Sequence, residues 1–181
     1  MRAILLVRVL FFYCFLLLNL LNFQYVPGFR TLNNFLTSIR IFLLRMSGAK
    51  IGKSSILRPG STVLSANKLT IGSNTVVGPG ARIMNFVDVI IGNDVEIGPN
   101  IIIQTNEHLI EKYDEPLGKQ GGKFSSIEIG DGCYIGGDVT ILSGVKIKNN
   151  CLIGAKSLVN KDLEISGLYA GCPAKLIKIF T

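Results

Sequence analysis

The chain has 181 residues, 48% of them hydrophobic, with one His, four Cys, no Trp and a formal net charge of +7. A single imidazole cannot supply a three-histidine zinc site, and none of Cys14, Cys133, Cys151 and Cys172 forms a metal-type CxxC pair. The charge is lopsided: residues 1–87 hold ten Lys or Arg and no Asp or Glu, while the remainder holds nine basic and twelve acidic residues. A basic front half behind an apolar leader points to an anionic membrane surface, and the absence of an interleaved aromatic and basic platform argues against nucleic acid.

Residues 3–21 are apolar apart from Arg8 and Asn19. As a helix this run is about 28 Å long, barely enough to cross a bilayer. No small-x-small cleavage site follows it, so it does not read as a secretory signal, and Pro27-Gly28 breaks the chain. A second helix is expected from Thr31 to Met46. Its apolar face is Leu32, Phe35, Leu36, Ile39, Phe42, Leu43 and Met46, with Asn33, Asn34, Ser38, Arg40 and Arg45 opposite. That pattern suits a helix lying in a membrane interface and equally a cap over the open end of whatever follows; the two roles are compatible. Residues 1–46 therefore read as a helical, membrane-associating segment, and 47–181 as a separate domain.

From Ile51 an aliphatic residue returns every sixth position: Leu57, Val63, then Ile71, Val77, Ile83, then Ile91, Ile97, Ile103, and later Ile129, Ile135, Ile141, Ile147, Ile153 and Val159. Period six fits neither an amphipathic helix nor an alternating strand; it marks a hexapeptide solenoid in which three short strands make one triangular coil. The fold class is all-β, a parallel β-helix of about five coils stacked at roughly 4.8 Å. Val139, four places after Ile135, also points inward, and each fully buried Ile or Leu contributes about 1.5–3 kcal/mol. Glycines such as Gly136 are expected where the chain turns between faces. The phase slips by two residues at Lys68-Leu69 and near Val89-Ile90, where the coil should bulge without breaking the stack. Cys133 and Cys151, eighteen residues apart, should lie one coil above the other as small reduced thiols in the core; a disulfide between them is the alternative.

The repeat stops between Gln104 and Ser126. This inserted loop (104–126) is polar, holds four acids and three lysines, has Gly121-Gly122 as a candidate hinge, and contains His108, the one histidine of the chain. A surface-loop His is ordinarily a bystander, but His108 leaves the prism directly after a regular coil and is carried by a rigid scaffold. Imidazole ordinarily titrates near pH 6.5, which suits a general base.

The stretch Ile129-Gly130-Asp131-Gly132-Cys133-Tyr134-Ile135-Gly136-Gly137-Asp138, continued by Ile153-Gly154-Ala155-Lys156 and by Gly171-Cys172-Pro173-Ala174-Lys175, resembles the C-terminal signature of hexapeptide-repeat acetyltransferases of the galactoside and maltose O-acetyltransferase type. The apolar leader looks like that of membrane-associated members of surface-polysaccharide synthesis. The resemblance covers about residues 48–180. Tyr134, Lys148, Lys156 and Cys172 depart from it.

The resemblance implies a left-handed winding and a homotrimer with clefts between neighbouring prisms. Acetyl-CoA is the implied co-substrate, without a metal. Its carrier arm would lie by Gly136, Gly137, Gly154 and Ala155, with Asn160, Lys161, Lys175 and Lys178 toward its other end. His108 would act as the base, and Asn85, Glu107 and Tyr134 would line the acceptor site. For Asn85 the plain alternative is a corner amide bonding backbone; for each Lys it is a solvated charge.

The implied activity is O-acetylation of a sugar hydroxyl in a lipid-linked or nascent surface glycan, on the cytoplasmic side of a bacterial inner membrane. The alternatives are a small soluble acceptor (a free sugar, serine or an antibiotic) and a non-catalytic, membrane-tethered scaffold. No Gly-rich dinucleotide fingerprint occurs.

Overall fold

The computed structural model describes residues 2–19, 30–110, 114 and 116–180. The expected break at Pro27-Gly28 and the end of the apolar leader (20–21) lie outside them. Two helices come first, α1 (Arg2–Asn19) and α2 (Arg30–Met46). Five complete coils follow: β1 (Lys50–Ile51), β2 (Ile56–Leu57), β3 (Thr62–Val63); β4 (Leu69–Ile71), β5 (Val76–Val77), β6 (Arg82–Met84); β7 (Val89–Ile91), β8 (Glu96–Ile97), β9 (Ile102–Gln104); and, after the insertion carrying β10 (Asn106–His108) and β11 (Gly122–Phe124), β12 (Ile127–Ile129), β13 (Tyr134–Ile135), β14 (Thr140–Ile141); then β15 (Lys146–Ile147), β16 (Leu152–Ile153), β17 (Leu158–Val159). A sixth, partial coil adds the bridge Ile147–Leu163 and β18 (Gly167–Ala170), against which β19 (Lys175–Ile179) folds back antiparallel.

Like strands of successive coils pair in parallel, giving three faces. Face A runs β1-β4-β7-β12-β15, face B β2-β5-β8-β13-β16-β18-β19 in stacking order, and face C β3-β6-β9-β14-β17. The pairing is in register, Ile91 with Ile129 and Ile103 with Ile141, so the sixth-position aliphatics superpose as one buried column. Ile51, at the end of the stack, is the partly exposed member of the series. The other inward position holds small side chains, among them Ser55, Thr75, Val95, Cys133 and Cys151 at a single corner. Their polar atoms are satisfied upward: Ser55 Oγ donates to Gly72 O at 2.5 Å and Thr75 Oγ1 to Gly92 O at 2.7 Å. Cys133 and Cys151 are stacked, as the eighteen-residue spacing requires, and both are buried, free thiols.

The glycines that follow the column residues stand where a side chain is least welcome, and the reason is space. Gly52, Gly72 and Gly136 lack positive φ; a Cβ on them would lie 2.5–2.6 Å from the backbone of the next coil. The left-handed turn itself falls two residues later, on Ser54, Asn74, Asp94, Asp138 and Lys156, with φ of 54–60°. At Ser54, Asn74, Asp94 and Asp138 a short polar side chain tolerates that conformation by bonding locally.

Both phase slips are absorbed at the corner between faces C and A. The first becomes a 3-10 turn (Ala66–Lys68), and the second the bend around Asn85–Asp88. The long insertion leaves the same corner one coil later, so all three excursions are stacked.

Helix α2 closes the first coil. Leu36, Arg40, Ile41, Leu43, Leu44 and Ser47 are buried, whereas Leu32, Phe35, Phe42 and Met46 are exposed. This corrects the expected face: the helix is rolled so that Ile41 and Leu44 enter the core and Arg40 goes with them. Its apolar surface is wider than one stripe, and the prism end takes one side of it while α1 takes another, Phe11 meeting Phe42 edge-on at 6.2 Å. Burial lowers the Arg40 pKa from its ordinary value. Arg45, by contrast, reaches the carbonyls of Ile51 (2.9 and 3.1 Å) and Gly52 (2.9 Å), the end of face A that no earlier coil covers. Such termination is what a solenoid requires.

Candidate active site

His108 stands at the end of β10, which pairs antiparallel with β11: Asn106 opposite Phe124, Glu107 opposite Lys123, and His108 opposite Gly122. Gly122 is therefore a strand residue, not half of a hinge; Gly121, with φ of 84°, makes the turn into β11. The His108 side chain is exposed, and Glu107 forms an exposed ion pair with Lys123 at 3.8 Å.

What holds this hairpin is its root. Thr105 is fully buried. Its hydroxyl donates to Met84 O (3.2 Å) and accepts from the Phe86 N–H (2.9 Å) and Val87 N–H (3.3 Å). Its carbonyl accepts from the Ser125 N–H and from Ser143 Oγ, each at 3.0 Å. Phe124 of β11 leans on Phe86 of the coil below, ring centroids 5.4 Å apart. The sequence reading missed Thr105, Ser143 and Phe124. The available signal was that Thr105 occupies the corner position that Asn85 fills one coil earlier.

Asn85 is not placed to line an acceptor site. It is fully buried, and its amide is committed to the corner below. Oδ1 accepts from the Leu64 and Ser65 N–H groups (3.2 and 3.0 Å), and Nδ2 donates to Ser65 O at 2.6 Å. It bonds a neighbouring coil's backbone and holds the bend that presents Phe86.

The remaining candidates occupy two different edges of the prism. Gly136-Gly137 and Gly154-Ala155 are stacked at the corner between faces B and C: the Gly136 N–H donates to Ile153 O at 2.8 Å, and a Cβ on Gly136 would meet Ala155 N at 2.6 Å. Ala155 is exposed there. Tyr134 projects, about half exposed, from the outer side of face B between Glu96 and Leu152. Asn160 and Lys161 are exposed at the C-to-A corner, two coils after the one from which His108 emerges. Lys175 and Lys178 are exposed on β19, which the Ala174 N–H ties to Leu158 O at 2.8 Å. Within the chain, then, the imidazole and the glycine corner flank face C and do not meet.

An open depression of about 570 Å³ on face A, lined by Ile90, Glu128, Lys146 and Asp162 among others, contains none of these residues. Among the described residues no group of His, Cys, Asp and Glu could hold a metal ion.

Residues 126–161 match the family described as bacterial transferase hexapeptide (six repeats). WcaF of Escherichia coli (strain K12), an acetyltransferase assigned to colanic acid biosynthesis, is 32% identical over 139 residues, 77% of this chain and 74% of its own length. A crystal structure of a maltose O-acetyltransferase from Clostridium difficile 630 superposes with a TM-score of 0.78 at 23% identity, covering 100% of this chain and 90% of that one. A galactoside acetyltransferase in complex with coenzyme A gives 0.76 at 26% identity, covering 98% and 81%. A triangular parallel prism and a relative matched along most of both chains place this protein in the bacterial hexapeptide-repeat transferase family, among its acyltransferases.

Proposed function

We propose that the protein transfers an acetyl group from acetyl-CoA to a hydroxyl of a sugar in a lipid-linked or nascent surface glycan, with His108 as general base. The supporting observation is that the lone imidazole of the chain sits on a two-stranded hairpin whose root, Thr105, is held by six hydrogen bonds to three different segments. A base must be positioned before its proton affinity matters.

The step balances without a cofactor. A ring nitrogen of His108 takes the hydroxyl proton as the oxygen attacks the thioester carbonyl carbon, forming a C–O bond. The tetrahedral oxyanion collapses, the C–S bond breaks, and the proton passes from the imidazolium to the departing CoA sulfur. No acyl-enzyme forms, and a backbone N–H serves the oxyanion.

Because His108 and the Gly136/Gly154 corner flank face C of one prism, a homotrimer that sets one protomer's histidine edge against its neighbour's glycine edge would complete the site. Gly136, Gly137, Gly154 and Ala155 offer a low-relief wall for the carrier arm. Asn160, Lys161, Lys175 and Lys178 stand toward its phosphates, where attraction is electrostatic and salt-sensitive. Glu107 and Tyr134 remain acceptor contacts of this reading; Asn85 supports the site from below. The glycan assignment is supported by the likeness to WcaF and by the apolar N-terminal helices, which suit an enzyme working at the cytoplasmic face of a membrane.

Thiol release from acetyl-CoA, measured against free and lipid-linked glycans, tests this reading. Release that depends on a lipid-linked glycan, with an acetyl ester recovered on the sugar, is the expected result. Release with no hydroxyl acceptor in the panel contradicts it. Equal activity on a soluble sugar after deletion of residues 1–46 favours the small-acceptor alternative.

A further inference from the structure

We infer that the capped end of the prism is a docking surface for an anionic lipid bilayer, and that the protein stands end-on with its coil axis along the membrane normal. The inference deepens the membrane association proposed above by naming the face, the lipid charge and the orientation.

Three observations carry it. The first is an apolar stripe on α1. Leu6, Leu10, Tyr13 and Leu17, at helical spacing, are 61–69% exposed. The opposite side of the same helix buries Phe15 completely, and Phe11, Phe12, Cys14 and Leu16 pack partly against the core. A helix with one face in the protein and an apolar face outward suits shallow insertion, and a run of this size is seldom left to water. Among the described residues no helix is long and apolar enough to cross a membrane, so the contact is peripheral.

The second is the cap geometry. Arg45 of α2 closes the terminal carbonyls of Ile51 and Gly52, which places the helical layer at the end of the stack and not along one of its sides.

The third is the charge along the axis. In the first two coils Lys50 is exposed on face A, Arg58 follows the face B strand, and Arg82 is exposed on face C, with Lys53 at the corner between A and B. The collar is cationic on all three sides, and the acids begin at Asp88, with Asp94 and Glu96 in the third coil. A patch on one side would lay the prism flat; a collar around one end favours that end toward negative charge. Each Lys or Arg held near an anionic surface contributes about 1 kcal/mol. His108 then emerges from the third coil, about 10 Å beyond the first at the usual strand spacing.

The test uses the full chain and sedimentation with vesicles of phosphatidylcholine, alone or mixed with phosphatidylglycerol. The expected result is binding to the mixed vesicles that falls with salt. Lys50→Gln, Arg58→Gln and Arg82→Gln together should weaken it on the order of 100-fold. Leu10→Ser with Leu17→Ser, both at exposed positions, should abolish it. For orientation, a fluorophore on Lys53→Cys should be quenched by headgroup-labelled lipid and one on Glu164→Cys should not, in a chain whose Cys14 and Cys172 are Ser. Equal binding to neutral vesicles, a pellet resistant to both salt and carbonate, or self-association through α1 that the Leu variants abolish would each overturn the inference. Calorimetric binding of acetyl-CoA is unchanged in these variants, so failure here is distinct from failure of the acetyl-transfer reading.

Discussion

Ser143 Oγ donates a 3.0 Å hydrogen bond to the carbonyl oxygen of Thr105, thirty-eight residues earlier in the chain. It joins the coil before the insertion to the coil after it, at the point where the His108 hairpin departs. Removing the Thr105 hydroxyl leaves the part-buried Phe86 N–H without its acceptor, at about 1–3 kcal/mol. Thr105→Val is therefore expected to lower stability by that amount in urea titration and to reduce kcat severalfold with little change in KM for acetyl-CoA. Thr105→Ser should restore both. A kcat unchanged in a folded Thr105→Val variant would remove the hairpin root from the account.

The glycine argument separates space from backbone conformation. Gly72 lacks positive φ, but a Cβ there would lie 2.6 Å from Asn93 N and Gly92 C. Gly72→Ala is expected to destabilise by about 1–3 kcal/mol, the usual magnitude of overpacking. Gly118→Ala, with nothing within 4 Å of the added carbon, should leave the melting temperature unchanged. Similar effects at the two sites would contradict the stacking account.

Arg45 tests the end cap. Arg45→Met keeps the apolar stem but withdraws the donors from Ile51 O and Gly52 O. A loss of about 1–2 kcal/mol is expected, with hydrogen exchange rising in the first coil before the fifth. Uniform loosening along the stack would mean that the end is held by something else.

The stacked thiols make a chemical prediction. Hydrogen bonding to Cys151, together with burial, raises the Cys133 pKa far above the ordinary thiol range, and alkylation requires the thiolate. Mass spectrometry after brief iodoacetamide treatment of the native protein at pH 8 should find Cys172, which is exposed, modified and Cys133 intact until denaturant is added. Rapid native labelling of Cys133 would show that its corner opens.

The prism was legible because its core obeys a single rule: between Leu57 and Val159, apart from two short slips and one insertion, every sixth side chain points into one column, and a period of six admits few folds. The insertion was legible as a break in that period, and His108 stood out because the chain has no other imidazole. Asn85 misled because its identity suits a ligand contact and a corner brace equally, and only the neighbouring Leu64 and Ser65 N–H groups decide between them. Thr105 escaped notice because its function depends on residues 19 and 38 positions away, Phe86 and Ser143. The roll of α2 was hidden by an apolar surface that covers more than one side, so that Arg40 could be drawn inward with Ile41 and Leu44.

The central claim is that an imidazole on a braced hairpin takes the acceptor proton. Its most direct test is thiol release by His108→Ala with saturating acetyl-CoA and glycan, alongside calorimetric titration of acetyl-CoA into the same preparation. The account predicts a fall in kcat of about 10²–10⁴, the usual contribution of a positioned base, with acetyl-CoA binding and the melting curve retained. Turnover within a few-fold of the unsubstituted enzyme would contradict it.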